Sequence, residues 1–114
     1  KDGSLLVDAQ VRTVADRRRL GFAGIVSAAL AMTERGEIVG DLQLELTGIP
    51  ETDADGNLIA RRAYDAVLEA IESMPRARRR DPDAVAEAAR RALRAAIGAA
   101  WRKKPLCHVQ VLTV

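Results

Sequence analysis

Cys107 and His108 stand side by side near the C-terminal end of the chain, and each is the sole residue of its type. Metal ligation or cysteine–histidine chemistry would have to begin with them. One histidine forms no histidine cluster for a metal. Neighbours on a strand project to opposite faces, so these two do not readily share one ion. Serines are few, and none lies in a glycine-flanked nucleophile turn. No glycine-rich phosphate loop is present, and the carboxylates are scattered over loops and exposed helical positions. The expectation is therefore a domain that carries no catalytic residue, no cofactor-binding residue and no metal ligand of its own.

The side chains left for function are basic. Arg76, Arg78, Arg79 and Arg80 form a run between two helical segments, and Arg90, Arg91 and Arg94 form a stripe along the second of them. Arg17, Arg18 and Arg19 precede the first strand, and Arg102, Lys103 and Lys104 precede the last. Guanidinium groups bind phosphate bidentately, which makes the first seven arginines candidate RNA contacts. The competing reading is a solvated surface with ion pairs such as Glu87 with Arg91. The chain has a formal net charge of only +2 despite 30% charged residues, and aromatics make up 3%. RNA binding, if present, should thus be weak and independent of sequence.

Stepping outward, the elements that position these groups follow from periodicity. Residues 22–32 predict a strand with Val26, Ala28, Leu30 and Met32 on one face and Ile25, Ser27, Ala29 and Ala31 on the other. Both faces are apolar enough for a central strand. Glu34-Arg35-Gly36-Glu37 predicts a turn with glycine in the left-handed position. Ile38 to Thr47 alternates Leu42, Leu44 and Leu46 with polar residues, predicting a strand with one buried face. After a loop over 48–57, the period becomes helical from about Leu58 to Met74, with a core stripe of Ala60, Ala63, Tyr64, Val67, Ile71 and Met74. A basic linker follows Pro75. Asp81-Pro82 then reads as an N-cap with proline at the first helical position, opening a helix to about Trp101. Its buried face is Val85, Ala88, Ala89, Ala92, Leu93, Ala96 and Ile97. Cys107 to Leu112 predicts the last strand.

The resulting ββααβ order predicts an α+β two-layer sandwich, a three-stranded mixed sheet with two helices on one face. The other face would carry Ile25, Ala29, Gln43 and Glu45, together with His108, and would need solvent or a partner. These residues are the candidate interface. Residues 1–20 show no long period and predict a lead-in segment from upstream domains, with residues 21–114 forming the domain proper. The 114 residues suffice for one domain, burying roughly two-thirds of the unfolded surface. One cysteine excludes an internal disulfide and suits a reducing, cytoplasmic setting. No apolar run reaches the roughly 18 residues of a membrane span. A start at Lys1-Asp2-Gly3 suggests a piece of a longer chain.

Several of these segments carry a resemblance. Asp2-Gly3, Val14-Ala15-Asp16-Arg17-Arg18-Arg19-Leu20 and Gly24-Ile25-Val26 resemble the start of the C-terminal domain of ribonuclease J. The turn Arg35-Gly36-Glu37-Ile38 and the ending Lys103-Lys104-Pro105, followed by a strand with Val111 and Val114, are similar to the same family. Gly48-Ile49-Pro50 lacks the family's frequent aromatic, and Cys107-His108 replaces apolar or proline residues. The resemblance implies a bacterial parent enzyme with a metallo-β-lactamase core and a β-CASP insertion. Such an enzyme degrades or matures RNA with zinc-activated water, its metal motifs lying upstream. It also implies an accessory, oligomerisation role for this domain, with the upstream catalytic domains and further copies as partners. Two alternatives remain open, a direct RNA-binding module acting through arginines and an unrelated small assembly domain.

Overall fold

A computed structural model describes residues 22–114 of the chain. The expected lead-in at 1–20, with Arg17, Arg18 and Arg19, lies outside the described residues. Strand β1 is Phe22–Met32 and strand β2 is Ile38–Thr47. Helix α1 is Ile59–Glu72, a single turn of helix α2 is Arg76–Arg79, and helix α3 is Pro82–Trp101. Strand β3, Lys104–Thr113, closes the order. The sheet runs β2-β1-β3, with β1 antiparallel to β2 and parallel to β3. The mixed sheet and the central position of β1 are as predicted.

The β1–β2 turn is built around Thr33. Its Oγ1 accepts from the N–H groups of Arg35 and Glu37, at 3.2 and 3.1 Å, and Gly36 adopts φ +88°. That conformation is left-handed, which glycine enters without a Cβ penalty. Gly24 serves closeness instead: a Cβ there would stand 2.5 Å from Ile49 Cγ1, so the bare backbone lets the 48–49 loop lie against β1.

One face of the sheet is closed by helices. Val26, Ala28, Leu30 and Met32 are buried, as are Ile59, Ala63, Val67 and Ile71 of α1 and Val85, Ala89, Leu93 and Ile97 of α3. Helix α3 packs against β3 and α1, while α1 reaches β2. Small side chains at Ala28, Ala63 and Ala89 let these layers approach closely. Leu42 is buried, whereas Leu44, Leu46, Val109 and Val111 are only partly covered at the margin of this core.

Three local expectations need correction. Ala60 is exposed and Ile59 is buried in its place, so the α1 stripe runs Ile59, Ala63, Val67, Ile71. The basic linker contains the turn α2, whose N-cap is Pro75. Strand β3 begins at Lys104, three residues earlier than predicted, and Pro105 is buried within it. Proline is tolerated there because β3 is an edge strand and needs no donor on its outer side.

The helix ends follow the sequence signals. Asp81 accepts the N–H of Asp83 at 3.0 Å and Pro82 occupies the first turn of α3. The helix stops at Arg102, which takes φ +64° and donates its N–H to the Gly98 carbonyl at 2.7 Å. Helix α1 has no side-chain cap. Its start is fixed instead by the Ile59 N–H bonding to the Glu51 carbonyl at 3.0 Å, and by the preceding loop.

Candidate assembly face

The face of the sheet turned away from the helices is composed of four transverse rows set by register. Thr47, Ile25 and Leu106 form the first, and Glu45, Ser27 and His108 the second. Gln43, Ala29 and Gln110 form the third, and Val39, Ala31 and Leu112 the fourth. The central column is short-chained from Ser27 to Ala31, so the two flanking strands stand above it. A groove of about 390 Å³ results, lined by Ser27, Ala29, Gln43, Glu45, His108 and Gln110. Polar groups fill its middle, and apolar rows close both ends. Val39 and Leu112 leave 43% and 52% of their surface exposed, which is high for large aliphatic side chains.

Ile25, Ala29, Gln43 and Glu45 therefore fall on one surface, together with His108. Val39, Gln110 and Leu112 join them and were not singled out from sequence. The signal was present in the alternation of Leu106, His108, Gln110 and Leu112 with Cys107, Val109 and Val111. Reading it requires the parallel register of β3 on β1, which no local pattern encodes.

Cys107 and His108 do take opposite faces. Cys107 packs at the edge of the core, where burial pushes its thiol pKa up, partly offset by Arg94 and Arg90. His108 is exposed in the groove. Among the described residues, no group of three His, Cys, Asp or Glu side chains is placed to hold a metal ion.

The seven candidate RNA-contacting arginines do not act as one patch. Glu87 takes Arg90 Nη2 at 2.6 Å and Arg91 Nε at 3.0 Å. The Arg90 hydrogen bond is the main reason the Glu87 pKa lies below its usual range, and Arg91 adds to it. Two guanidinium groups are thereby engaged within α3, as the ion-pair reading anticipated. Arg94 is exposed. Arg79 is half-buried against the β1–β2 turn, where a Cβ on Gly36 would meet its Cβ at 2.8 Å. Arg76, Arg78 and Arg80 are exposed around α2. Trp101 is partly buried against the core with the Lys103 ammonium 5.3 Å from its ring centroid, so it offers no free stacking platform.

Asp53 shows what an acidic loop of this kind does here. Its Oδ1 accepts the N–H groups of Asp55 and Asn57, each at 2.9 Å, and its Oδ2 binds Arg62 Nη1 at 2.8 Å. The carboxylate organises the loop and ties it to the first turns of α1.

No helix among the described residues is long and apolar enough to cross a membrane. Comparison with known proteins gives two findings. The family described as "Ribonuclease J C-terminal domain" matches residues 12–114. A protein named "Ribonuclease J" from Sinorhizobium meliloti (strain Sm2011 / Rm2011 / 2011) is 40% identical over 114 residues, which is 100% of this chain and 20% of that protein. The chain thus spans one fifth of the length of the relative it matches.

Proposed function

Because the chain belongs to the ribonuclease J C-terminal domain family, we propose that it is the non-catalytic accessory domain of a ribonuclease J-like enzyme that degrades and matures RNA in the bacterial cytoplasm. Its task is assembly: the open sheet face joins the domain to further copies or to the upstream catalytic domains of the same chain. The observation that carries this reading is the surface itself. A three-stranded sheet covered by helices on one side exposes Val39, Leu112, Ile25 and Ala31 on the other, around a polar centre. Mixed apolar and polar composition of this kind is typical of interfaces.

Zinc belongs to the upstream catalytic part in this reading. The described residues of the domain do not fit a zinc site, and no chemical step is assigned to them. Exposed Arg76, Arg78, Arg80 and Arg94 add a weak, sequence-independent attraction for RNA, sensitive to salt. With Arg90 and Arg91 held by Glu87, direct RNA capture is the secondary reading.

The test is Ile25→Glu in the full enzyme. It places a carboxylate on the open face without touching the helix-covered core. Light scattering should show loss of assembly, with the circular dichroism spectrum unchanged. If the enzyme carrying Ile25→Glu keeps its oligomeric state and activity, the face is not the docking surface.

A further inference from the structure

The four rows of the open face are complementary to themselves under one symmetry operation. From this we infer that the face's partner is a second copy of the domain, packed sheet to sheet about a twofold axis running along β1. The inference rests on the assembly role proposed above and specifies its partner and geometry.

A twofold axis parallel to the strands, lying between the two faces, keeps each row at its own height and exchanges left for right. Every β2 residue then faces the β3 residue of the same row in the other copy. Glu45 meets His108, Gln43 meets Gln110, and Val39 meets Leu112. On the axis, Ser27, Ala29, Ala31 and Ile25 each meet their own counterpart. Chemistry agrees row by row. The imidazole of His108 donates an N–H to the Glu45 carboxylate in either protonation state, and two carboxamides satisfy each other reciprocally. The two aliphatic side chains with 43% and 52% exposure bury one another. The short column at Ser27 to Ala31 leaves room for the long side chains of the flanking strands to fold inward from both copies.

The other face-to-face twofold, perpendicular to the strands, sets Glu45 near Gln43 and His108 near Gln110. It leaves the acid without its basic partner, so charge complementarity selects the axis along β1. Such an interface is isologous and closes as a dimer.

Its size predicts its strength. Three strands about 4.8 Å apart and four rows at a rise of about 3.3 Å per residue cover roughly 400 Å² per copy. A standard interface buries about 800 Å² per partner. The 114-residue chain alone should therefore dimerise weakly, and the contact gains force when other parts of a longer chain bring two copies together.

The test uses two single variants, Glu45→Lys and His108→Glu, in sedimentation equilibrium of the 114-residue chain up to millimolar concentration. Both positions are exposed, and circular dichroism checks that the fold is retained. Each variant alone sets like charges or two donors against each other and should weaken self-association by about tenfold or more. An equimolar mixture of the two places the introduced lysine opposite the introduced glutamate, and native Glu45 opposite native His108. Association should then return to within about threefold of wild type. A second measurement is independent of charge. Ser27→Cys in a Cys107→Ser background sets two thiols across the axis, so a short bismaleimide should give cross-linked dimer.

Weakened single variants that the mixture does not rescue would overturn the twofold pairing while leaving the face as a docking surface. Single variants that associate like wild type, a wild type that stays monomeric at every concentration, or no cross-link at Ser27→Cys would overturn the inference itself. The assembly role then stands or falls separately, on Ile25→Glu in the full enzyme.

Discussion

Strand β1 has two faces of nearly equal hydrophobic promise and very different outcomes. Val26, Ala28, Leu30 and Met32 are 0–3% exposed beneath the helices, while Ile25, Ser27, Ala29 and Ala31 stay half-buried on the other side. The difference does not come from β1, which is central and apolar on both sides. It comes from the flanking strands. On the covered face they bring Leu42, Leu44, Leu46, Cys107, Val109 and Val111. On the open face they bring Gln43, Glu45, His108 and Gln110. A central strand therefore reports that a sheet has two useful faces, and its neighbours decide which one becomes core and which one becomes surface.

The comparison breaks most visibly if core substitutions prove mild. Leu93→Ala removes a fully buried side chain from α3 and should cost about 2–5 kcal/mol. Leu44→Ala, at the partly covered margin, should cost about 1–2 kcal/mol, in proportion to the smaller area it hides. On the open face, Ala29→Ser should change stability by no more than about 0.5 kcal/mol. Chemical denaturation of the three variants gives the ranking. Equal losses at Leu93 and Ala29 would mean that the open face is also core.

Much of this was legible before any coordinates. The bounds of β1 and β2, the Gly36 turn, the Asp81-Pro82 start of α3 and the buried even positions of β1 all follow from period and capping chemistry. The misreadings have physical causes. Ile59 lies at the first position of α1, where no earlier residue establishes the period, so the stripe was read one residue late. Pro105 looks like a break because proline removes a donor, yet an edge strand has a side that needs none. The turn α2 is built from arginines around one alanine and carries no apolar pattern. As for function, the engagement of Arg90 and Arg91 by Glu87 was legible from spacing. The rows of the open face were not, because they depend on a parallel pairing between segments more than seventy residues apart.

Two glycines sharpen the contrast at intermediate size. Gly36 and Gly40 both hold left-handed backbone, with φ of +88° and +71°. The conformational cost of alanine is therefore similar at each, about 1 kcal/mol. Only Gly36 lies beneath another element. A Cβ there would stand 2.8 Å from Arg79 Cβ and 3.1 Å from its carbonyl carbon, whereas at Gly40 it would meet nothing within 4 Å. Gly36→Ala should thus cost about 2 kcal/mol or more and displace α2, and Gly40→Ala only about 1 kcal/mol. Thermal unfolding of both variants checks this. Equal losses would show that α2 does not press on the turn.

The smallest expected effect concerns how the helical cover is fixed at its start. Asp53 holds the loop before α1 through the N–H groups of Asn57 and Asp55, and reaches α1 through Arg62. These contacts favour the carboxylate over the acid, so its pKa in the folded chain lies below the ordinary value. The Asn57 N–H contributes most, while desolvation opposes the shift. A lowered folded pKa means that the unfolded chain binds the proton more readily. The stabilisation is therefore complete above the ordinary carboxylate pKa of about 4 and disappears as pH falls through the lower, folded value. Asp53→Asn keeps an oxygen for the loop N–H groups but has no proton to gain. The melting temperatures of wild type and variant should differ at neutral pH and converge below about pH 4. Glu87, lowered by Arg90 and Arg91, remains in both proteins and adds the same acid limb to each, so the difference isolates Asp53. Melting curves that stay parallel down to low pH would show that the Asp53 charge does not hold α1 in place. The cover would then owe its position to the apolar stripe of Ile59, Ala63, Val67 and Ile71 alone.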